Sequence, residues 1–362
     1  MKYLAEALVK LKHKVVVLTT ASKYKNYIEG EVNVIRMPIY FKEGKLAGIK
    51  SWLDYMQKAS IYLKRIVKSF DPDVINSFFL FPSGYIVAHS GIKRPHIISI
   101  VGADIFDPTR RWLTASGNFA IRNFSRKAVE NASLLTVPSK DLSQRTKILF
   151  PKAVISTIPW GIPEIKYTKI FREELNLPKN AFVIISICRL VKRKRLDKLL
   201  EGVYEIKRRG KNRNICVVII GDGPEFKKLE QKAKVFGIEK EVIFLGNVKE
   251  EKKYKYLSVA DIFCLPSEHE GFGLVFLEAM NFAVPIIATN IGGQNDIVRD
   301  GIDGFLVPAN DQRRLVDVIY KAYHDSQLLK SMSYAAKMRS KQFIARDTAV
   351  KFYKVYEQVL SK

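Results

Sequence analysis

The sequence predicts an α/β protein built from two doubly wound, Rossmann-like domains that face each other across a cleft. Two observations carry this prediction. Short β-branched apolar runs alternate with amphipathic segments along the chain, and a proline- and charge-rich stretch at 159–169 interrupts the alternation once. Strands that alternate with helices form parallel sheets covered on both faces. We therefore expect a first domain over residues 1–160, a linker, and a second domain over 161–344.

The first half begins with a helix and not with a strand. Residues 2–12 place Leu4, Leu8 and Leu11 on one helical face. No apolar strand or glycine-rich turn precedes them, although the first strand of a doubly wound sheet is central. We expect that this chain lacks the first strand and that the sequence upstream of Met1 would encode it. The alternative is a native variant that completes the sheet in another way. The predicted strands that follow are 15–20, 32–37, 73–77, 96–102, 133–139 and 153–158.

The second half repeats the pattern and ends in three helical segments. Its predicted strands are 181–187, 215–221, 241–246, 261–266, 285–289 and 304–308. The last helix, at 345–360, is predicted to pack on a neighbour through Val350, Tyr353, Val355, Tyr356 and Leu360.

Composition narrows the class of protein. The 362 residues, 47% of them hydrophobic, suffice for two buried cores. No run reaches the roughly 18–20 apolar residues of a membrane-spanning helix, and the opening residues resemble no signal peptide. Cys188, Cys216 and Cys264 lie in apolar runs without metal-ligand spacing. We expect reduced core cysteines and a cytoplasmic protein.

The net charge of +25 favours phosphate-bearing partners. Lysine and arginine are spread along the chain without a nucleic-acid-binding motif, so no specific nucleic-acid partner is expected. Residues 110–127 mix Trp112, Phe119 and Phe124 with basic side chains. This mixture is typical of a surface helix bound peripherally to anionic lipid. The alternative is an ordinary helix with a solvated basic face.

The segment 267–280 is the most informative one. Glu270 and Glu278 flank a glycine turn between a predicted strand and a helix that should begin near Leu274. The turn consists of Gly271, Phe272 and Gly273. Backbone N–H groups at an uncapped helix start suit a phosphate, and nearby carboxylates can accept hydrogen bonds from sugar and ribose hydroxyls. The pattern predicts a nucleotide-sugar pocket; the alternative is a plain strand–turn–helix connection with solvated glutamates.

Other polar groups follow neighbouring strands. Arg189 and Lys194 come after the strand ending at 187, Gly221 and Asp222 after the next, and the segment 291–298 after a later one. Carboxyl ends of parallel strands share one edge of a sheet. Two cations beside a glycine turn would stabilise the oxygens of a departing diphosphate. A basic run such as 192–195 can instead be a solvated face.

Together these motifs resemble the family-four, GT-B-fold retaining glycosyltransferases, and the likeness extends over nearly the whole chain. The residues that carry it are 73–77, 102–104, 158–162, 188–202, 219–230, 242–248, 260–280, 292–308 and the closing helix.

The resemblance implies roles for particular residues. Arg189 and Lys194 would hold the donor diphosphate, Glu270 the donor sugar and Glu278 the ribose. The amides of Phe272, Gly273 and Leu274 would bind phosphate and sugar, and Asn247 and Val248 would frame the base. Asp104 is predicted to be catalytic on the acceptor side.

The resemblance also implies the reaction. A hexosyltransferase of class EC 2.4 would use a nucleoside-diphosphate sugar, neither metal nor cofactor, and a glycan or lipid-linked acceptor hydroxyl. The departing phosphate would deprotonate that hydroxyl on the face it leaves. The closing helix at 345–362 would complete the first domain.

Several positions depart from the family pattern. Val101 replaces the histidine that usually precedes the Gly-x-Asp triplet at 102–104, which puts acceptor handling or rate in question. Arg195 stands where glycine is common. The other departures are Trp160 for asparagine, Ala283 for glycine and Asp296 for glutamate.

One further motif and two alternative functions are weighed against this interpretation. Asp71-Pro72-Asp73 spells a D-x-D triplet that could hold a divalent ion, but it fits ordinary helix-to-strand punctuation. The alternative functions are a nucleotide-sugar epimerase on the same fold, which would need acid–base groups at the sugar carbon, and a catalytically impaired sugar-nucleotide- or membrane-binding protein.

Overall fold

A computed structural model describes residues 1–21, 27–29, 32–38, 49–109, 114–166, 170–210 and 214–361. The chain divides into two compact units: unit 1 comprises residues 1–163 and 345–362, and unit 2 comprises residues 164–344. The division falls within the proline-rich stretch 159–169, of which residues 167–169 lie outside the described part.

Unit 1 contains two separate sheets in its described part. In the first, β1 (Val16–Ala21) pairs in parallel with β3 (Val32–Pro38), and β2 (Tyr27–Glu29) pairs antiparallel with β3. The second sheet is parallel and has the order β4-β5-β6-β7. Its strands are Ile75–Phe78, His96–Ser99, Leu134–Val137 and Ile155–Thr157. All six predicted strands are present; only the short β2 was not predicted.

Six α-helices are described in unit 1. In chain order, five are α1 (Lys2–Lys10), α2 (Ile49–Phe70), α3 (Tyr85–Ala88), α4 (Phe119–Glu130) and α5 (Lys140–Leu149), and the sixth is the closing helix α12 (Ala345–Leu360). Helix α1 forms where the leucine spacing predicted it, and its Leu8 packs beside Ala345 and Ala349 of α12.

The buried face of α12 differs from the predicted one. Phe352, Val355 and Val359 pack in one cluster with strand residues such as Ile97. Tyr353 and Leu360 are exposed. Both positions lie at the edge of the helical face that runs through Ala345, Ala349 and Phe352. Leu360 faces solvent, whereas the partly exposed Tyr353 ring stacks on His13, with ring centroids 4.7 Å apart.

Unit 2 holds one parallel sheet whose six strands were all predicted. They are β8 (Phe182–Ile187), β9 (Ile215–Ile220), β10 (Val242–Gly246), β11 (Ile262–Leu265), β12 (Ile286–Thr289) and β13 (Gly304–Val307). Strand β9 is buried along its whole length, as apolar strands covered on both faces are. The order β10-β9-β8-β11-β12-β13 reverses direction between β8 and β11. Ligands of open α/β sheets bind at such switch points, beyond the carboxyl ends of the strands.

Helices connect the strands of unit 2. They are α6 (Leu196–Arg208), α7 (Phe226–Val235), α8 (Glu250–Ser258), α9 (Leu274–Asn281), α10 (Gln312–His324) and α11 (Ser326–Ser340). Cys216 and Cys264 are buried and Cys188 is half-buried, and all three thiols are free. Among the described residues, no helix has both the length and the apolar character needed to cross a lipid bilayer.

Candidate functional site

Two loops meet at the switch point of unit 2. One, residues 188–195, follows β8, and the other, residues 266–273, follows β11. Because β8 and β11 are paired neighbours, their carboxyl ends bring these loops side by side. The predicted diphosphate and sugar residues lie on them.

Lys194 and Glu270 form an ion pair between the two loops. The distance from Lys194 Nζ to Glu270 Oε1 is 2.5 Å, and the side chains are only 11% and 10% exposed. Burial by itself would raise the pKa of Glu270, but the charge and hydrogen bond of Lys194 outweigh it and hold that pKa below its ordinary value. Glu270 is therefore an anion held beside a cation.

Further contacts join the same loops. The Glu268 backbone N–H donates to the Arg193 carbonyl over 2.8 Å, and the Arg193 guanidinium donates to the His269 carbonyl over 3.2 Å. Arg195 donates to the Glu268 carboxylate over 2.9 Å. His269 is buried next to Glu270. No sequence pattern singled out this histidine.

The glycine turn leads into a helix as predicted. Helix α9 begins at Leu274, with Gly273 as its N-cap in the left-handed region at φ 97° and without a side-chain cap. A Cβ at Gly273 would lie 2.5 Å from the Phe276 ring, so the turn requires glycine both for its conformation and for space. Phe272 is buried, and its ring centroid lies 6.1 Å from that of Phe343. The helix start therefore presents its first amides without a competing side chain.

Glu278 lies one turn into α9 and is also paired with a lysine. Lys253 Nζ of α8 lies 2.8 Å from Glu278 Oε2, with side chains 16% and 10% exposed. The ammonium group also lies 4.7 Å from the centroid of the Tyr254 ring. No sequence signal singled out Lys253, because it is one of several lysines in a charged helix.

The remaining predicted donor residues of unit 2 lie on adjacent loops. The Arg189 side chain is exposed. Asp222 and Asn247 are exposed and Val248 is half-buried, in the loops that follow β9 and β10. Gly221 has φ 128°, and a Cβ there would lie 1.9 Å from the Cys188 carbonyl oxygen. This glycine is required because two strand-end loops pack against each other.

The segment that follows β12 contacts the same region. The Gly293 N–H donates to the Glu270 carbonyl over 2.7 Å. Arg339 at the end of α11 donates to the carbonyls of Asp296, over 2.8 Å, and Ile297, over 2.9 Å. The backbone around Asp296 is thereby fixed to α11.

Asp104 belongs to unit 1 and is buried. Its carboxylate accepts hydrogen bonds from the backbone amides of Leu80, Val101 and Gly102 over 3.1, 3.3 and 2.9 Å. Burial raises the pKa of Asp104, while these amides act to lower it. The carboxylate thus holds together the turn that contains Val101.

Two other predicted features also lie in unit 1. Asp71 pairs with Arg94, so one member of the D-x-D triplet already has a cationic partner.

Helix α4 is shorter than the basic-aromatic segment 110–127. Residues 110–113 lie outside the described part, and residues 114–118 are not helical. Along α4, Phe119 is 75% exposed and Phe124 is 40% exposed, while Arg126 and Lys127 are exposed between and beside them.

Two family models match the chain, one over each half. Residues 1–164 match the family described as "Glycosyltransferase Family 4", and residues 168–339 match "Glycosyl transferases group 1".

One curated relative is the N-acetyl-alpha-D-glucosaminyl L-malate synthase of Bacillus anthracis, 28% identical over 247 residues. That match covers 67% of this chain and 64% of the relative.

Solved structures share the fold over almost all of the chain. A sucrose-phosphate synthase from Thermosynechococcus elongatus has a TM-score of 0.85 at 19% identity, covering 99% of this chain and 92% of that one. Alr3699/HepE of Anabaena, solved in complex with UDP, has a TM-score of 0.70 at 19% identity, covering 96% and 100%.

Proposed function

We propose that this chain, which belongs to the family-four glycosyltransferases with a GT-B fold, transfers a hexosyl group. The donor is a nucleoside-diphosphate sugar, the acceptor is a hydroxyl group, and the anomeric configuration is retained. One observation carries the proposal: two buried carboxylates, Glu270 and Glu278, flank an uncapped helix start, and each is paired with a lysine. Such a site offers cations for phosphate and anions for hydroxyls.

Each group has a separate task in the proposed reaction. Lys194 and Arg189 neutralise the diphosphate as its bond to the anomeric carbon breaks. The amides at the start of α9 bind phosphate. Glu270 accepts hydrogen bonds from donor-sugar hydroxyls, and Glu278 accepts them from the ribose.

The acceptor oxygen bonds to the anomeric carbon on the face that the diphosphate leaves. Its proton passes to a phosphate oxygen of the leaving group, so the reaction needs no protein nucleophile. Asp104 is proposed as an acceptor-side residue in unit 1.

The substrates are proposed by class. A uridine or related diphosphate donor is consistent with the UDP bound by the Anabaena protein of the same fold. We propose a glycan or lipid-linked acceptor in the synthesis of cell-surface glycans, polysaccharides or glycolipids.

The proposed location is the cytoplasm, with peripheral binding to the inner face of the membrane. Exposed Phe119, Arg126 and Lys127 on α4 support lipid binding, since apolar and basic groups together suit an anionic headgroup layer. Phe124 is only partly exposed, because its ring packs on Phe81 and Tyr85.

The test is a panel of nucleotide sugars screened by thermal shift, followed by turnover of each stabilising donor with and without a pool of acceptors. A glycosyltransferase consumes donor only with acceptor, apart from slow hydrolysis, and NMR of the product reports the anomeric configuration. An epimerase would isomerise donor without acceptor, and a binding protein would be stabilised without turnover. Chelator should leave the rate unchanged; dependence on manganese or magnesium would favour the Asp71/Asp73 alternative.

A further inference from the structure

Arg195 has a backbone conformation that is unfavourable for its residue type. It ends the short 3₁₀ turn Lys192–Lys194 and caps the start of α6 with φ 51° and ψ 36°, in the left-handed region. A residue with a Cβ is strained there, whereas glycine is not. The arginine side chain must therefore provide something that glycine could not.

The side chain of Arg195 reaches the opposite loop. Its guanidinium lies 2.9 Å from Glu268 Oε1 and 3.5 Å from Asp197 Oδ1. The Arg195 and Glu268 side chains are 18% and 27% exposed. A partly buried, charge-assisted hydrogen bond of this kind restrains geometry more than an exposed ion pair does.

This pair is one of a consecutive series of contacts. Arg193, Lys194 and Arg195 reach His269, Glu270 and Glu268 in turn, and the Glu268 amide donates back to the Arg193 carbonyl. Lys194 lies between two residues that are both attached to the facing loop. The backbone at Lys194 is consequently held beside the facing loop, and its ammonium group donates to Glu270.

We propose that Arg195 is a positioning residue of the transfer reaction: its ion pair with Glu268 fixes the spacing of the two loops and thereby keeps Lys194 and Glu270 aligned for the donor. The inference rests on the proposed function, because it assigns donor contacts to Lys194 and Glu270. A small displacement of the catalytic groups lowers the turnover rate more than it lowers the affinity for the donor.

The first test is Arg195→Gly. Glycine relieves the strained φ but removes the ion pair, so the melting temperature should stay level or rise while kcat falls about tenfold, on the order of a single coupled interaction. KM for the donor should change less than kcat. Arg195→Lys keeps the charge and should recover part of the loss. Retention of wild-type kcat by Arg195→Gly would overturn the proposal.

The second test is Glu268→Ala, which removes the partner carboxylate and leaves the 195 backbone untouched. It should reproduce the loss of kcat. Arg172→Gln is the control for a general loss of stability. Arg172 pairs with Asp261 over 2.7 Å with similar exposures of 22% and 27% and also donates to the carbonyls of Val259 and Ala181, near the amino end of β11 and away from the two loops. This control should lower the melting temperature without the same loss of kcat.

A double-mutant cycle identifies the path of the effect. If Arg195 acts through Lys194, then Arg195→Gly should cost much less in a Lys194→Ala background than in the wild type. Additive losses would mean that Arg195 contacts the donor directly and would overturn the positioning role. An inactive wild type would contradict the proposed function itself, whereas an active wild type with an equally active Arg195→Gly would contradict only this inference.

Discussion

Lys253 donates a hydrogen bond to Glu278, and its Nζ atom lies 2.8 Å from Oε2. The two residues belong to different helices, α8 and α9, and both side chains are largely buried. A buried carboxylate without a partner costs several kcal/mol, and this lysine supplies the partner. Both carboxylates of the site thus depend on a lysine from another segment of unit 2.

Replacing Glu278 should weaken nucleotide binding. Glu278→Ala removes the proposed acceptor of ribose hydroxyl hydrogen bonds, and we expect a loss of about 1–3 kcal/mol, the scale of a hydrogen bond to a charged group. Calorimetric titration with the nucleoside diphosphate measures it. Glu251→Ala, on the exposed side of α8, is the control. Unchanged affinity in Glu278→Ala would remove the ribose assignment.

Replacing Glu270 should separate binding from turnover. Glu270→Ala should mainly lower turnover of the sugar donor and leave the affinity for the free nucleoside diphosphate largely intact, because the proposed contact is to the sugar. Steady-state kinetics and calorimetry on the same variant provide the comparison. Equal losses in Glu270→Ala and Glu278→Ala would contradict the separate roles.

Removing both leaving-group cations should nearly abolish transfer. Arg189→Ala combined with Lys194→Ala should lower turnover by at least about a hundredfold, since both cations face charge that develops during departure. Lys192→Ala removes an exposed lysine from the same turn and serves as the control. A double variant that keeps more than a tenth of wild-type turnover would refute the assignment.

Acid should weaken the Lys194–Glu270 pair. The folded-state pKa of Glu270 is lowered. The pair therefore stabilises unit 2 fully at pH values above the ordinary carboxyl pKa of about 4. That contribution is lost as the pH falls through the lowered pKa. In urea denaturation, wild type should lose stability more steeply with acid than Glu270→Gln does. Parallel pH profiles would count against an ionised pair.

Strands that pair on one side only should be less protected from hydrogen exchange than strands between two neighbours. In the described part, β1 and β4 each pair with one neighbouring strand, whereas β5, β6 and β8 each lie between two. Amides of a strand paired on one side open more readily. Exchange measured by mass spectrometry should be faster at 16–21 and 75–78 than at 97–99 and 183–187. Equal protection of all four segments would contradict this expectation.

Local sequence patterns predicted twelve of the strands and the start of α9 at Leu274. These features depend on local patterns: apolar runs that fill a parallel sheet, and a glycine turn that opens a helix. The placement of Lys194, Glu270 and Glu278 at strand ends followed from the same alternation, because parallel strands end at one edge.

The pairs of side chains that meet in the site could not be predicted from such local patterns. Lys253 reaches Glu278 across 25 positions of sequence, and Arg195 reaches Glu268 across 73. The same holds for α12, where Phe352 lies in one cluster with Ile97 and Ala349 in another with Leu8, both distant in sequence. Such contacts depend on strand order and helix packing between distant segments, whereas hydrophobic periodicity reports only on neighbours along the chain.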